Sequence, residues 1–211
     1  MRGSLAIPHL TEGAVRYVAL GDSFTIGTSV TPDQSWPSQL VARLPELELA
    51  ANLAVNGYTS TDLITQELPQ LDRLQPEYVS VLIGVNDVVR GVPDRVYAGN
   101  VTIILEELLS RLPPSRILCV ATPDYTRTPR GGDYGDPMQQ SDAIVRVNAI
   151  LREASEQRSI PFVPQIFEIS ELASEDERLV APDGLHPSGV QYARWVDSIE
   201  PVVRASLAAE G

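Results

Sequence analysis

The sequence predicts an α/β fold: a mostly parallel sheet with helices on both faces. Three observations carry that expectation. Short apolar runs alternate with longer amphipathic ones along the chain, the rhythm of strands joined by right-handed helical crossovers. The run at 78–83 is apolar enough for a strand buried on both faces. Finally, Ser23, Gly57 and Asn86 each follow an expected strand, so all three fall on one rim of the sheet. Ligands of such sheets bind beyond the carboxyl ends of the strands.

The elements follow in order. A strand at 17–20 lies within the stretch 15–27 and runs into a tight glycine turn that presents Ser23. Residues 35–44 read as a helix, with Pro37 acceptable in its first turn. A second strand is expected at 47–55, then a helix at 59–74 with Leu63, Ile64, Leu68 and Leu71 at helical spacing. After the third strand at 78–83 comes a long helix at 96–112, stopped by Pro113-Pro114, and a fourth strand at 116–121. The segment 122–138 carries Pro123, Pro129, Gly131-Gly132, Gly135 and Pro137, and a connection of that length suggests a functional lid. A helix at 139–158, a short strand at 160–166, a weak acidic helix at 170–178 and a last helix from Pro187 or Ser188 to about Ala209 complete the chain.

Composition narrows the function. The chain has 211 residues, 43% hydrophobic and 21% charged, enough for one domain with a core of its own. That domain is expected over 14–211. The opening Met1-Arg-Gly-Ser4 reads as an expression leader, so 1–13, with His9, stand outside the fold argument. A net charge of −12 argues against nucleic acid or an anionic membrane as partner. No apolar run approaches the roughly 18 residues of a membrane span, and no signal peptide is visible. All sixteen basic residues are arginine, which removes lysine Schiff-base and P-loop chemistry. The single Cys119 sits in an apolar run and reads as a buried strand residue. A disulfide framework is excluded, and a cytoplasmic enzyme is expected. Oligomeric state is not legible.

The candidate chemistry is nucleophilic. A serine hydroxyl needs a base, and beyond His9 the chain offers only His186. In Pro182-Asp-Gly-Leu-His-Pro-Ser-Gly189, Asp183 is placed to accept from the second imidazole nitrogen and to fix its tautomer. A developing oxyanion needs fixed donors: the Ser23 N–H, a backbone N–H at Gly57, and the Asn86 amide. Each residue alone has a bland explanation, as a helix cap, a turn glycine or a surface loop. Only the set points to catalysis.

Gly21-Asp22-Ser23, Gly57, Gly84-x-Asn86-Asp87 and Asp183-x-x-His186 together resemble the four blocks of the SGNH hydrolase (GDSL-type esterase/lipase) superfamily. The match spans about 15–201, with Phe24 where the GDSL name has leucine. The resemblance implies a flavodoxin-like three-layer α/β/α fold, with five parallel strands in the order 2-1-3-4-5. It implies hydrolysis of small-molecule esters or thioesters through an acyl-enzyme, without metal or cofactor. Ser23 would be nucleophile, His186 general base and acid, Asp183 its orienter, and Gly57 and Asn86 oxyanion donors. The stretch 81–91 looks most like bacterial acylhydrolases grouped with lysophospholipases and acetylhydrolases.

Tyr125, Arg127, Arg130 and Tyr134 make the 122–138 segment polar rather than greasy, so short or polar acyl esters are expected. Asp22, Tyr125, Arg127 and Tyr134 are the candidate substrate-binding residues. Three other readings stay open. One is a lysophospholipase or thioesterase acting on longer chains. A second is a metal-dependent phosphoesterase using Asp22, Asn86, Asp183 and His186. The third is a non-catalytic binding module.

Overall fold

A computed structural model describes residues 13–208 of the chain. The expected leader, apart from Gly13, lies outside the described residues. Strands β1 (Val15–Gly21), β2 (Leu47–Asn52), β3 (Tyr78–Leu82), β4 (Ile117–Val120) and β5 (Phe162–Val163) form one parallel sheet in the order β2-β1-β3-β4-β5. The three inner strands are buried almost throughout, whereas β2 at the edge is half-buried. Layers of helix cover the two faces. Helix α2 (Trp36–Arg43) packs on α9 (Gly189–Ala208), and α6 (Asp94–Leu109) packs on α7 (Pro137–Glu156). This is the flavodoxin-like α/β/α arrangement expected from the sequence. Trp36, Trp195, Tyr17, Tyr78 and Tyr97 anchor a continuous core.

The departures have local causes. The helix expected over 59–74 changes pitch along its length. It starts as α3 (Ser60–Asp62), widens to a π turn (Leu63–Glu67), tightens to a 3-10 turn (Leu68–Gln70) and ends as α4 (Leu71–Leu74). Pro69 has no N–H and crowds the preceding turn, which breaks the regular ladder here. The fifth strand is only two residues long because Pro161 and Pro164 bracket it. The acidic helix falls earlier than expected, at α8 (Gln165–Glu171), and 3-10 turns follow it.

One element was not anticipated: α5 (Val85–Val89), a short helix opening directly from β3. The segment 122–138 is anchored rather than featureless. Asp124 is fully buried, donates its N–H to Ser170 Oγ at 2.7 Å, and accepts from Thr126 and Ser141.

The turn from β1 into α1 (Ser23–Ile26) is the tightest joint of the fold. Gly21 has φ +153°, and a Cβ there would overlap the Leu82 carbonyl oxygen and stand 2.6 Å from Thr25 Oγ1. Gly21→Ala is therefore expected to cost at least about 3 kcal/mol in urea unfolding. A loss below about 1 kcal/mol would contradict this packing.

Candidate active site

Three strands and one hairpin deliver the site. Because β1, β2 and β3 are parallel, the segments after them emerge on the same edge. Ser23 is the first residue of α1. Asp22 caps that helix, its Oδ1 accepting the Phe24 N–H at 3.0 Å. Asn86 stands in α5, directly after β3. Gly57 lies in the turn after β2, at φ +82°, a conformation that favours glycine.

Asp183 and His186 are presented by a small antiparallel bridge. The Ala181 N–H donates to the His186 carbonyl at 2.7 Å, and the Ser188 N–H donates to the Leu179 carbonyl at 2.8 Å. That closure holds the turn 182–187 over the sheet edge.

Ser23, Gly57, Asn86 and His186 all line one cavity of about 180 Å³. Phe24, Val85, Val89 and Leu185 supply its apolar wall, with Tyr125 and Tyr134 on the side of the 122–138 segment. Asp183 lies behind the imidazole, its Oδ2 2.6 Å from His186 Nδ1. Ser29 Oγ donates to the same oxygen at 2.7 Å, while the Leu185 and His186 N–H groups donate to Oδ1, each at 3.0 Å. Burial alone would raise this carboxyl. The bonds from His186, Leu185 and Ser29 outweigh it and hold Asp183 well below the usual carboxylate range. It is an ionised partner for the imidazole. The Phe24 ring lies 5.0 Å from the His186 ring, centroid to centroid, and limits its rotation.

The oxyanion candidates are held from behind. Asn86 Nδ2 donates to the Tyr58 carbonyl at 2.9 Å and lies 3.4 Å from Asp22 Oδ2, which fixes the amide plane. Arg90 follows α5 one helical turn after Asn86, and its Nη2 donates to the Gly57 carbonyl at 2.7 Å. Two consecutive carbonyls of the 57–58 turn are thus clamped from one helix. Among the described residues, neither the Ser23 N–H nor the Gly57 N–H has an internal acceptor, which leaves both for a ligand.

Not every candidate faces the cavity. Tyr125 and Tyr134 line it, packed edge to face at 5.8 Å, and the Tyr125 hydroxyl is tied to Gln140 Oε1. Arg127 points elsewhere, pairing with Asp124 at 3.4 Å and Glu171 at 3.2 Å. Asp22 is fully buried behind Ser23, outside the cavity wall. Burial pushes its carboxyl up to about 7. The Asp87 charge adds to this rise, and the Phe24 N–H opposes it.

Sequence reasoning missed Arg90, Ser29 and the apolar wall residues Val85 and Val89. Once 85–89 is known to be helical, the four-residue spacing from Asn86 to Arg90 puts both on one face. Ser29 carried no such signal.

Among the described residues, no three His, Cys, Asp or Glu side chains are grouped to hold a metal ion. Asp22, Asn86, Asp183 and His186 do not converge as ligands. Asp22 is buried behind Ser23, and Asp183 Oδ2 is turned to His186 Nδ1, so the carboxylates and the imidazole present no shared ligand set among the described residues. No described helix is long and apolar enough to cross a membrane.

Comparison with known proteins identifies the family and the fold. Residues 19–194 match the model of the GDSL-like lipase/acylhydrolase family. The chain is 29% identical over 182 residues to an arylesterase of Vibrio mimicus, covering 84% of this chain and 82% of that one. Its fold is similar to that of Axe2, an acetylxylan esterase from Geobacillus stearothermophilus, at TM-score 0.70 and 19% identity over 92% of this chain and 96% of the other. It is also similar to the psychrotrophic esterase EstA from Pseudoalteromonas sp., at TM-score 0.68 and 17% identity over 92% and 98% of the two chains. The chain belongs to the GDSL-like lipase/acylhydrolase family and is a carboxylic ester hydrolase.

Proposed function

We propose that this protein is a serine esterase that moves the acyl group of short-chain or polar esters onto Ser23 and then onto water. One observation carries the reading: Ser23, His186, Gly57 and Asn86 face a single cavity, with an ionised Asp183 2.6 Å behind the imidazole. His186 Nε2 takes the hydroxyl proton as Ser23 Oγ attacks the ester carbonyl carbon. Asp183 keeps Nδ1 protonated and stabilises the imidazolium that forms. The carbonyl oxygen becomes an oxyanion and takes hydrogen bonds from the Ser23 and Gly57 N–H groups and from the Asn86 amide, which gives up its long 3.4 Å contact with Asp22 to do so. Collapse expels the alcohol, which takes its proton from His186. Water then repeats the sequence on the acyl-enzyme and frees the acid.

Cavity size supports short acyl groups. At about 180 Å³ the cavity is smaller than the roughly 300–1,000 Å³ of pockets that take drug-sized ligands. Its wall is mainly apolar, so the preference rests on volume rather than on the polarity of the 122–138 segment. The names of the arylesterase and the acetylxylan esterase among its similar proteins point the same way, toward small or activated esters.

Hydrolysis of p-nitrophenyl esters from C2 to C12 tests the reading. The rate is expected to be highest at the short end and to fall with chain length. A steady rise to C12 would move a long-chain lysophospholipase or thioesterase to the front. Ser23→Ala is expected to lose at least about 10⁴-fold in kcat, and EDTA to leave the parent unchanged. Full activity in Ser23→Ala, or its abolition by EDTA, would contradict the acyl-enzyme.

The clamp on the 57–58 turn adds a second expectation. Arg90→Ala leaves Gly57 unbraced, so kcat should fall about tenfold with KM changed less than about twofold, a smaller loss than deleting a donor outright. Arg90→Lys should recover part of it. An unchanged kcat in Arg90→Ala would show that the turn needs no brace.

A further inference from the structure

Beneath the nucleophile turn lies a carboxyl group that the mechanism above does not use. Glu67 ends the π turn and is fully buried. Its Oε2 accepts the Gly21 N–H at 2.9 Å, which ties the π turn to the last residue of β1, two residues before Ser23. Its Oε1 is buried with no hydrogen-bond partner among the described residues. A carboxylate with one bare oxygen in such a place is costly, whereas a neutral acid leaves far less unsatisfied.

The neighbours sharpen this. The charges that act on Glu67 are those of Asp22, from the turn after β1, and Asp62, at the start of its own helical segment. Asp22 in turn feels Asp87 of α5. From α6, the buried Tyr97 hydroxyl donates to the Ile83 carbonyl and lies within reach of the Asp22 and Asp87 charges. The charged groups named are all acidic, so each further ionisation makes the next harder. Burial, with these charges, pushes Glu67 up to about 9 against the Gly21 bond.

We infer that Glu67 is a positioning residue that works as a neutral carboxylic acid, holding the Gly21–Ser23 turn through the Gly21 N–H without adding a second negative charge to that of Asp22. The inference rests on the acyl-enzyme reading for its link to turnover, but its effect on folding does not. A carboxylate bound to the Gly21 N–H, two residues before Ser23, would add a second buried negative charge to that of Asp22 and oppose an oxyanion forming at the Ser23 N–H. Ionisation of Glu67 then closes the alkaline side of the activity range.

The test uses Glu67→Gln, which keeps the carbonyl acceptor for Gly21 and cannot ionise, beside Glu67→Leu, which cannot accept at all. Parent kcat/KM on p-nitrophenyl acetate should fall above about pH 9 by up to tenfold per pH unit. In Glu67→Gln that limb should vanish, with activity at pH 7 within about threefold of the parent. Glu67→Leu should lose kcat by more than about tenfold with little change in KM.

Folding gives an independent readout. The folded-state value lies above the ordinary 4.5, so the parent binds this proton more tightly when folded. Its stability should therefore decline from about pH 5 to about pH 9 relative to Glu67→Gln, by up to tenfold in the unfolding constant per pH unit. A loss of activity in Glu67→Gln comparable to Ser23→Ala would overturn the inference, because it would mean the ionised form is needed. So would an alkaline limb shared by parent and Glu67→Gln, or parallel stability curves for the two. An inactive parent with diverging stability curves would instead remove the esterase reading and leave the neutral carboxyl standing.

Discussion

The site depends on one close approach between backbones. At the end of β1 the chain turns so sharply that Gly21 lies against the Leu82 carbonyl of β3, with no room for a side chain. Everything that follows uses the direction this sets. Asp22 is driven inward, where it caps α1 and approaches the Asn86 amide, and Ser23 is turned outward into the cavity. A parallel sheet contributes the rest, because it delivers the segments after β2 and β3 to the same edge. The serine, the glycine turn and the asparagine meet through topology rather than through proximity in sequence.

Around that edge, similar carboxyl groups are driven in opposite directions by their surroundings. Asp183 is half-exposed at a hairpin turn and accepts four hydrogen bonds, so it stays ionised beside His186. Asp22 and Glu67 are buried with few donors and with other acids for company, and both are raised. Separation of this kind leaves an ionised carboxylate beside His186 and raises the acids packed around the Ser23 turn. The chain carries a net charge of −12, and this local arrangement, more than the total, governs the chemistry.

Much of this was legible in the sequence. The alternation of apolar runs revealed the strands and their order of appearance, and the blocks at Ser23, Gly57, Asn86 and His186 marked the edge where they meet. Element ends were less legible where proline acts through geometry. Pro69 produces a change of helical pitch, not a stop, and Pro161 and Pro164 trim β5 to two residues. Side-chain direction was less legible still. Arg127 and Tyr134 belong to one segment, yet Tyr134 lines the cavity while Arg127 pairs with Asp124 and Glu171. Glu67 carried no signal, since a glutamate in an amphipathic helix ordinarily faces water. Only the fold shows that this one points under β1.

A covalent probe bears most directly on the claim that Ser23 is a nucleophile activated by His186. Reaction with an aryl organophosphate, followed by intact-mass and peptide analysis, reports the modified residue and its stoichiometry. One phosphoryl group per chain, located on Ser23 and greatly slowed in His186→Ala, is the result this account predicts. Labelling of another residue, or equal rates in the parent and His186→Ala, would contradict it.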